Sequence, residues 1–230
     1  MGTALVESWL NLNSYSFTVV DPFNFKKLKN KLNNKKIEIL NKAPIHKEIK
    51  KFDIIIFAVK PQIADRVLSE YKDFEFKKNS IISSIIAGKK IIFFKKRLKY
   101  ANQFVRIMPN MPALIRNGIS CFVSTNNLSI KNKKTINQLF MKVGKTVWLK
   151  NESQIDKATA VSGSGPGYVY TLINAFEKAA QKLGFSKKQS RELVLTTILG
   201  SINLMQETKK EPDELEKSIA VKGGTTEAGI

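Results

Sequence analysis

The run FDIIIFAVKP at residues 52–61 places the strongest constraint on the fold, because its centre is apolar on both faces of any strand it forms. Three further β-rich runs follow the same pattern: SFTVVDP (16–22), SIISSIIAG (80–88) and QFVRIMPNMP (103–112). Lys-rich stretches with helical spacing separate these runs. Strands buried on both faces need a layer on each side, so the pattern predicts a parallel sheet covered by helices.

The sequence pattern changes after Lys150. Before it, GISCFVST (118–125) and GKTVWLK (144–150) predict two more strands with a helix between them. After it, no stretch is typical of a strand, and helical segments begin at a Ser N-cap or close to a Pro, both ordinary helix starts. We therefore predict a nucleotide-type α/β domain at residues 1–150 and an all-helical domain at residues 151–230.

The formal net charge of +20 is the most conspicuous property of the composition. The lysines are spread between apolar segments of a chain also rich in Ile and Asn, which favours a solvated surface that attracts anionic ligands over a nucleic-acid footprint. The single cysteine, Cys121, excludes an intramolecular disulfide, and no Cys/His cluster predicts a metal site. No apolar run approaches the roughly 18 residues of a membrane span. We expect a cytoplasmic protein that binds neither nucleic acid nor membrane.

The amino terminus carries a weak dinucleotide-binding pattern. MGTALVESWL predicts an amphipathic helix that opens with Gly2, and Asp21 follows Gly2 by 19 positions, close to the spacing at which dinucleotide folds place an acid on the adenosine ribose. Because the opening strand and Gly-x-Gly are missing, an ordinary helix and turn is an alternative. AVKPQ (58–62) and MPNMP (108–112) follow carboxyl ends of predicted strands, where open α/β sheets bind ligands. Turns that merely reverse the chain are the alternative there.

Two glycine-rich segments lie in the predicted helical part. SGSGPGY (162–168) follows a helix instead of a strand and lacks the Lys of a P-loop, so it is better explained by small residues for close helix packing. GGTTEAGI (223–230) differs, because its glycines let consecutive amides converge on an anion and its threonines supply hydroxyl donors. This second segment predicts a site for a small carboxylate.

Taken in order, the motifs resemble those of pyrroline-5-carboxylate reductases. The resemblance rests on MG-A in the first helix, AVKPQ, SIIAG, RIMPNMPALI-NG and AVSGSGPGYVY, and on a specific terminal pattern formed by Pro212, Leu215, Ile219, Ala220, Val221, Gly223, Gly224 and Thr226. It implies a Rossmann-like dinucleotide-binding domain followed by an all-helical dimerisation domain. It also implies NADPH- or NADH-dependent reduction of 1-pyrroline-5-carboxylate to L-proline, the last step of proline biosynthesis.

The resemblance further implies roles for single residues. Thr226 falls where the family's threonine hydroxyl meets the substrate ring nitrogen, and it is the residue expected to be catalytic. The substrate-binding positions are Glu152, Ser218, Gly224, Thr225 and Thr226. The cofactor-binding positions are Gly2, Asp21, Ala58, Val59, Lys60, Pro61, Ile85, Ile86 and Ala87. The family's helical domains interlock, which implies a homodimer or a higher homo-oligomer.

The sequence departs from the family pattern in two respects. Family chains have a strand and a Gly-x-Gly turn ahead of MG and continue beyond GGTT into another helix, so a fragment lacking both ends is expected. Asp21 stands where the family often has a small polar residue. A carboxylate there would repel a 2′-phosphate and accept hydrogen bonds from a free ribose diol, which favours NADH. A non-catalytic nucleotide-binding paralogue, or a related imine or hydroxyacid reductase with another substrate, are the alternatives.

Overall fold

Seven strands form two sheets in the computed structural model, which describes residues 1–32 and 36–230. The strands are β1 (Phe17–Val20), β2 (Ile37–Leu40), β3 (Ile54–Phe57), β4 (Ile81–Ser84), β5 (Gln103–Pro109), β6 (Gly118–Ser124) and β7 (Gly144–Trp148). The α-helices are α1 (Gly2–Trp9), α2 (Phe25–Lys31), α3 (His46–Ile49), α4 (Ala64–Ser69), α5 (Ile91–Lys95), α6 (Ile130–Met141), α7 (Glu152–Ala158), α8 (Gly165–Lys182), α9 (Lys187–Thr208), α10 (Pro212–Ile219) and α11 (Thr225–Gly229).

The sheet topology confirms the predicted α/β class. β1 pairs with β2 in parallel, and the larger sheet has the order β3-β4-β5-β6-β7. All of its neighbours are parallel except β5 and β6. Residues 110–117 between β5 and β6 are too few for the crossover that a parallel pair requires, so β6 runs antiparallel to β5. The six predicted strands are confirmed, and β2 is an additional strand.

Both faces of the larger sheet are covered, as the apolar strands require. On one face, Ile82 and Phe104 pack with Leu68 of α4, Phe94 of α5 and Ile155 of α7. On the other face, the cluster draws on α1, α6, the strands, the turn at Met111–Ile115 and the connection from α6 to β7. It comprises Leu5, Trp9, Ile81, Val105, Ile107, Ala113, Phe122, Ile136, Leu139, Phe140 and Val143. Neighbouring residues on one strand therefore belong to opposite cores, which explains why alternation is absent from the sequence of these strands.

The chain divides into two compact units, residues 1–166 and 167–230. The first contains both sheets and extends past the last strand, because α7 packs its fully buried Ile155 on the sheet. Residues 151–230 contain no strand, as predicted. Our predicted boundary at residue 150 marks the end of the strands, and residues 151–166 belong to the compact α/β unit.

The second unit is helical and buries little of its own apolar surface. α8 and α9 are joined at Gly184, whose φ of 95° is accessible to glycine, and Ser186 caps α9 together with Gln189. Val194 alone among the hydrophobic residues of 167–230, all of which the structure describes, is buried. The large exposed apolar side chains of α8 and α9 are Tyr168, Val169, Tyr170, Leu172, Phe176, Leu193, Leu195, Leu199, Ile202 and Leu204. Across residues 1–32 and 36–230, no helix has the length and apolar character needed to cross a bilayer.

Candidate functional site

The carboxyl ends of β3, β4 and β5 meet at one edge of the larger sheet, which we call the cofactor edge. Phe57 lies opposite Ser84, and Ser84 lies opposite Arg106, so the loops that leave β3 and β4 start side by side. This register brings together seven of the predicted cofactor residues: Ala58, Val59, Lys60, Pro61, Ile85, Ile86 and Ala87. A loop edge of this kind is where open α/β sheets bind ligands.

The amino end of α1 lies at the same edge. A Cβ on Gly2 would stand 3.4 Å from the Cβ of Ala58, and at the other end of the helix the Trp9 ring stacks on the Phe17 ring at the start of β1. α1 therefore runs from this edge to the start of β1, and Asp21 follows β1 at its carboxyl end. The first turn of α1 holds no acidic residue. Its free N–H groups suit an anion such as a dinucleotide phosphate.

Asp21 holds a tight turn at the carboxyl end of β1. Its Oδ1 accepts hydrogen bonds from the backbone N–H groups of Phe23 (3.1 Å) and Asn24 (2.9 Å), and its Oδ2 accepts one from the Asn24 side-chain amide (3.0 Å). The carboxylate thus stabilises the turn that leads into α2. It retains acceptor capacity for a further donor, because a carboxylate offers about four lone-pair sites.

The loop after β4 packs two isoleucine side chains on the cores and exposes the two residues that follow them. Ile86 is buried in the sheet core, and its N–H donates to Ser84 Oγ (3.1 Å), while Ile85 packs on the opposite core. Gly88 adopts a φ of 73°, the left-handed region that glycine enters without strain. Ala87 and Gly88 are exposed, so these two residues present their backbone and the Ala87 methyl group to the outside.

The turn after β5 is fixed by Asn110. Its side-chain Oδ1 accepts the Ile119 N–H (2.9 Å), and its own N–H donates to the Ile119 carbonyl (3.2 Å). A π-helical turn at Thr159–Gly163 lies against this region, since a Cβ on Gly163 would approach Met108 Cε to 3.1 Å. This close approach agrees with the packing interpretation of the SGSGP segment. π-Helical turns recur at functional sites, and only the small residues of this segment are visible in the sequence as a sign of it.

Glu152 is engaged by two partners within the α/β unit. Its Oε1 accepts the backbone N–H of Ile91 (2.9 Å) and lies 3.4 Å from Arg106 Nη1. Asp156, one turn further along α7, accepts from Arg106 Nη2 (2.8 Å). Arg106 itself is only 4% exposed. Arg106 could not be identified from the sequence, because a single cation within the apolar run QFVRIMP does not reveal its partners.

The predicted carboxylate site forms a tight turn in the helical unit. Gly223 has a φ of 74°, and the turn leads into α11, whose first two residues are Thr225 and Thr226. The Gly223 N–H donates to Glu227 Oε2 at 2.6 Å, so a carboxylate of the chain itself already binds to this turn. Ser218, at the end of α10, donates its hydroxyl to the Leu215 carbonyl (2.6 Å).

Cys121 and the metal-ligating residue types form no further site in the part of the chain that the structure describes. Cys121 is buried on β6, and this burial raises the pKa of its thiol, opposed by a hydrogen bond with Ser162. Within residues 1–32 and 36–230, no group of three or more His, Cys, Asp or Glu side chains is arranged to hold a metal ion.

Comparisons with known proteins point to one family. Residues 152–230 match the family model described as pyrroline-5-carboxylate reductase dimerisation. The pyrroline-5-carboxylate reductase of Pseudomonas aeruginosa is 37% identical over 178 residues, which cover 77% of this chain and 65% of that protein. The chain therefore spans less than two thirds of the length of this curated relative.

Solved structures extend the similarity over the whole chain. A pyrroline-5-carboxylate reductase from Coxiella burnetii superposes with a TM-score of 0.86 at 25% identity, covering 99% of this chain and 84% of that one. The Plasmodium falciparum pyrroline carboxylate reductase, crystallised with NADP bound, gives a TM-score of 0.81 at 30% identity, with 100% and 84% covered. The fold is thus a Rossmann-like α/β domain followed by a helical one, and the chain belongs to the pyrroline-5-carboxylate reductase family.

Proposed function

We propose that this chain reduces 1-pyrroline-5-carboxylate to L-proline with NADPH or NADH, the last step of proline biosynthesis. The proposal is carried by the 30% identity over the full chain to a pyrroline carboxylate reductase with NADP bound. It is supported by the cofactor edge in the α/β unit and by the glycine-threonine turn in the helical unit. The two features supply groups suited to a dinucleotide and to a small carboxylate respectively.

The cofactor edge suits a nicotinamide dinucleotide. The amino end of α1 offers N–H donors with no carboxylate in its first turn, and the exposed Lys60 adds positive charge to the loop that begins at Ala58. Asp21 would accept hydrogen bonds from the adenosine ribose. Because the side chains of Val59 and Ile86 pack in the core, the loops 58–61 and 85–87 would meet the cofactor mainly through backbone groups.

The reduced cofactor would supply a hydride to the imine carbon. In our proposal, the Thr226 hydroxyl donates a hydrogen bond to the substrate ring nitrogen, and the amides of Gly224 and Thr225 hold the substrate carboxylate. Ser218 would border the same substrate. A protonated imine is more electrophilic, and negative charge near the ring would favour that form, which is the role that the family resemblance implies for Glu152. Orientation and electrostatics, without a strong general acid, would then provide most of the rate.

A second copy of the chain is the proposed partner. The helical unit exposes large apolar side chains along α8 and α9 and buries only Val194 among its hydrophobic residues, as described for residues 167–230. Contiguous exposed apolar surface of this kind marks protein interfaces. The match of residues 152–230 to a dimerisation model supports a homodimer or a higher homo-oligomer. We place the protein in the cytoplasm, where its proposed substrate would be reduced, with no role for nucleic acid or membrane.

The direct test measures oxidation of NADH and NADPH with 1-pyrroline-5-carboxylate, together with the amount of proline formed. Proline produced in equal amount to the oxidised cofactor is the expected result. Cofactor binding without turnover of this imine, but with turnover of another cyclic imine or a hydroxyacid, would favour a related reductase. Cofactor binding without turnover of any of these substrates would favour the non-catalytic paralogue.

A further inference from the structure

Arg106 is a buried cation in the middle of the larger sheet. It lies on β5 between Ser84 of β4 and Val123 of β6, and its side chain is 4% exposed. A buried guanidinium must be paired, because the loss of hydration is costly. Here both partners, Glu152 and Asp156, come from α7 and are one helical turn apart. The planar fork of Arg holds two carboxylates in a fixed geometry, which the rotatable ammonium group of a Lys does not.

The same carboxylate also binds the start of α5. Glu152 Oε1 accepts the Ile91 N–H at 2.9 Å, and it lies 3.4 Å from Arg106 Nη1. Ile91 is the first residue of α5 and one of the N–H donors that the helix itself leaves without a partner. A continuous path of polar contacts therefore runs from Asp156 through Arg106 and Glu152 to Ile91.

This path ends beside the cofactor edge. Residues 85–90 connect β4 to α5, and their conformation is set at one end by the Ile86 N–H bond to Ser84 and at the other by the Glu152 bond to Ile91. The exposed backbone of Ala87 and Gly88 lies between these two attachments. Loss of the second attachment would loosen the loop at its α5 end while the strand remained paired.

We infer that Arg106 is a positioning residue for the cofactor, acting through Glu152 on the loop 85–90. In this role Glu152 orients the loop and does not contact the substrate, which differs from the role implied by the family resemblance. The inference rests on the proposed function only in identifying a nicotinamide dinucleotide as the ligand of this edge. Each contact in the path lies within the α/β unit.

The experiment compares Glu152→Ala, Glu152→Gln and Arg106→Lys with the unmodified chain. Glu152→Gln keeps an acceptor for Ile91 but loses the ion pair, and Arg106→Lys keeps the charge but loses the fork. Three quantities are measured: the Kd of NADH and NADPH, the KM for 1-pyrroline-5-carboxylate at saturating cofactor, and hydrogen exchange in residues 85–96. Near-UV circular dichroism verifies that each variant is folded. Asp73→Asn, at a carboxylate that is 81% exposed, is the charge-matched control.

We expect Glu152→Ala to raise the Kd of the cofactor about tenfold and to speed exchange at the start of α5, because small displacements of positioning groups are costly. Glu152→Gln should have a smaller effect on both, and the KM for the imine should not change. A raised KM for the imine, with the Kd of the cofactor and the hydrogen exchange unaltered, would overturn the inference and indicate that Glu152 acts on the substrate. An altered Kd and exchange in a chain that turns over no imine would uphold the inference and refute the reaction. Absence of dinucleotide binding by the unmodified chain would overturn both this inference and the proposed reaction.

Discussion

Arg191 Nε donates a 2.9 Å hydrogen bond to Glu177 Oε1 and so joins α9 to α8 within the helical unit. A second contact, from Arg191 Nη2 to Glu177 Oε2, makes the pair bidentate. The hydrogen bond from Arg191 lowers the pKa of the Glu177 carboxyl, and the charges of Arg191 and Lys187 act in the same direction against partial desolvation. A bidentate carboxylate pair of this kind fixes the geometry between two helices more firmly than a single ion pair does.

The lowered pKa gives the stability of the chain a specific dependence on pH. A carboxyl whose pKa is lower in the folded state stabilises the fold above its unfolded pKa of 4.5 and loses that contribution as the pH falls through the folded value. Glu177→Gln should therefore lower the melting temperature at pH 7, and the difference from the unmodified chain should shrink below pH 4.5. Thermal denaturation across this pH range measures the effect. Glu192→Gln, at an exposed position on α9, is the matched control.

Gly118 permits the close approach of the turn at Met111–Ile115 to β6. A Cβ at Gly118 would lie 2.7 Å from the N, Cα and Cβ atoms of Ala113, which is fully buried. We expect Gly118→Ala to destabilise the chain by about 1–3 kcal/mol, the usual cost of overpacking. Urea denaturation would show this as a lower midpoint. Gly229→Ala adds the same methyl group where nothing lies within 4 Å and should leave the midpoint unchanged.

Most strands can be predicted from the sequence, because a strand that is buried on both faces is a continuous run of apolar residues. Ile54–Phe57 and Ile81–Ser84 are short apolar runs between polar helices, and no other element suits them. By contrast, Ile37–Leu40 contains Glu38 and follows a lysine-rich stretch, so its pattern is too weak to separate from the surrounding chain. The local sequence pattern is therefore sufficient to predict β3 and β4, whereas β2 forms through its tertiary pairing with β1.

The contacts of the candidate site were less predictable than its location. The motifs placed the loops after β3, β4 and β5 at one edge, because carboxyl ends of parallel strands share an edge. The partners of Arg106 are separated from it by 46 and 50 positions, and nothing local specifies which carboxylates will meet it. Asp21 differs, because its hydrogen bonds reach only two and three positions along the chain, a local turn pattern typical of Asp.

Asp21 provides a test of cofactor preference. A 2′-phosphate beside this carboxylate would be repelled, so we expect kcat/KM to be higher with NADH than with NADPH. Asp21→Asn removes the charge but keeps an acceptor oxygen for the N–H groups of Phe23 and Asn24. This variant should raise the NADPH to NADH ratio of kcat/KM about tenfold, equivalent to about 1.4 kcal/mol. A strong NADPH preference in the unmodified chain would refute the proposed role of the carboxylate.

Thr226 is the residue on which turnover should depend most. Removal of a single positioned donor typically lowers turnover about 10²-fold, so Thr226→Ala should reduce kcat by that order without abolishing it. Thr226→Ser keeps the hydroxyl and should retain most of the activity. Steady-state kinetics with 1-pyrroline-5-carboxylate measure both variants, and an unchanged kcat in Thr226→Ala would remove the hydroxyl from the mechanism.

Glu227 should compete with the substrate carboxylate for the glycine-threonine turn. Its Oε2 accepts the Gly223 N–H at 2.6 Å, so a substrate carboxylate bound at this turn would meet a like charge and lose one donor. Glu227→Gln removes the charge while keeping the side-chain length, and we expect a lower KM for 1-pyrroline-5-carboxylate with little change in kcat. Glu216→Gln, at an exposed carboxylate on α10, controls for the overall change in charge. An equal fall in KM for both variants would assign the effect to net charge, whereas a fall confined to Glu227→Gln would locate the substrate carboxylate at the turn.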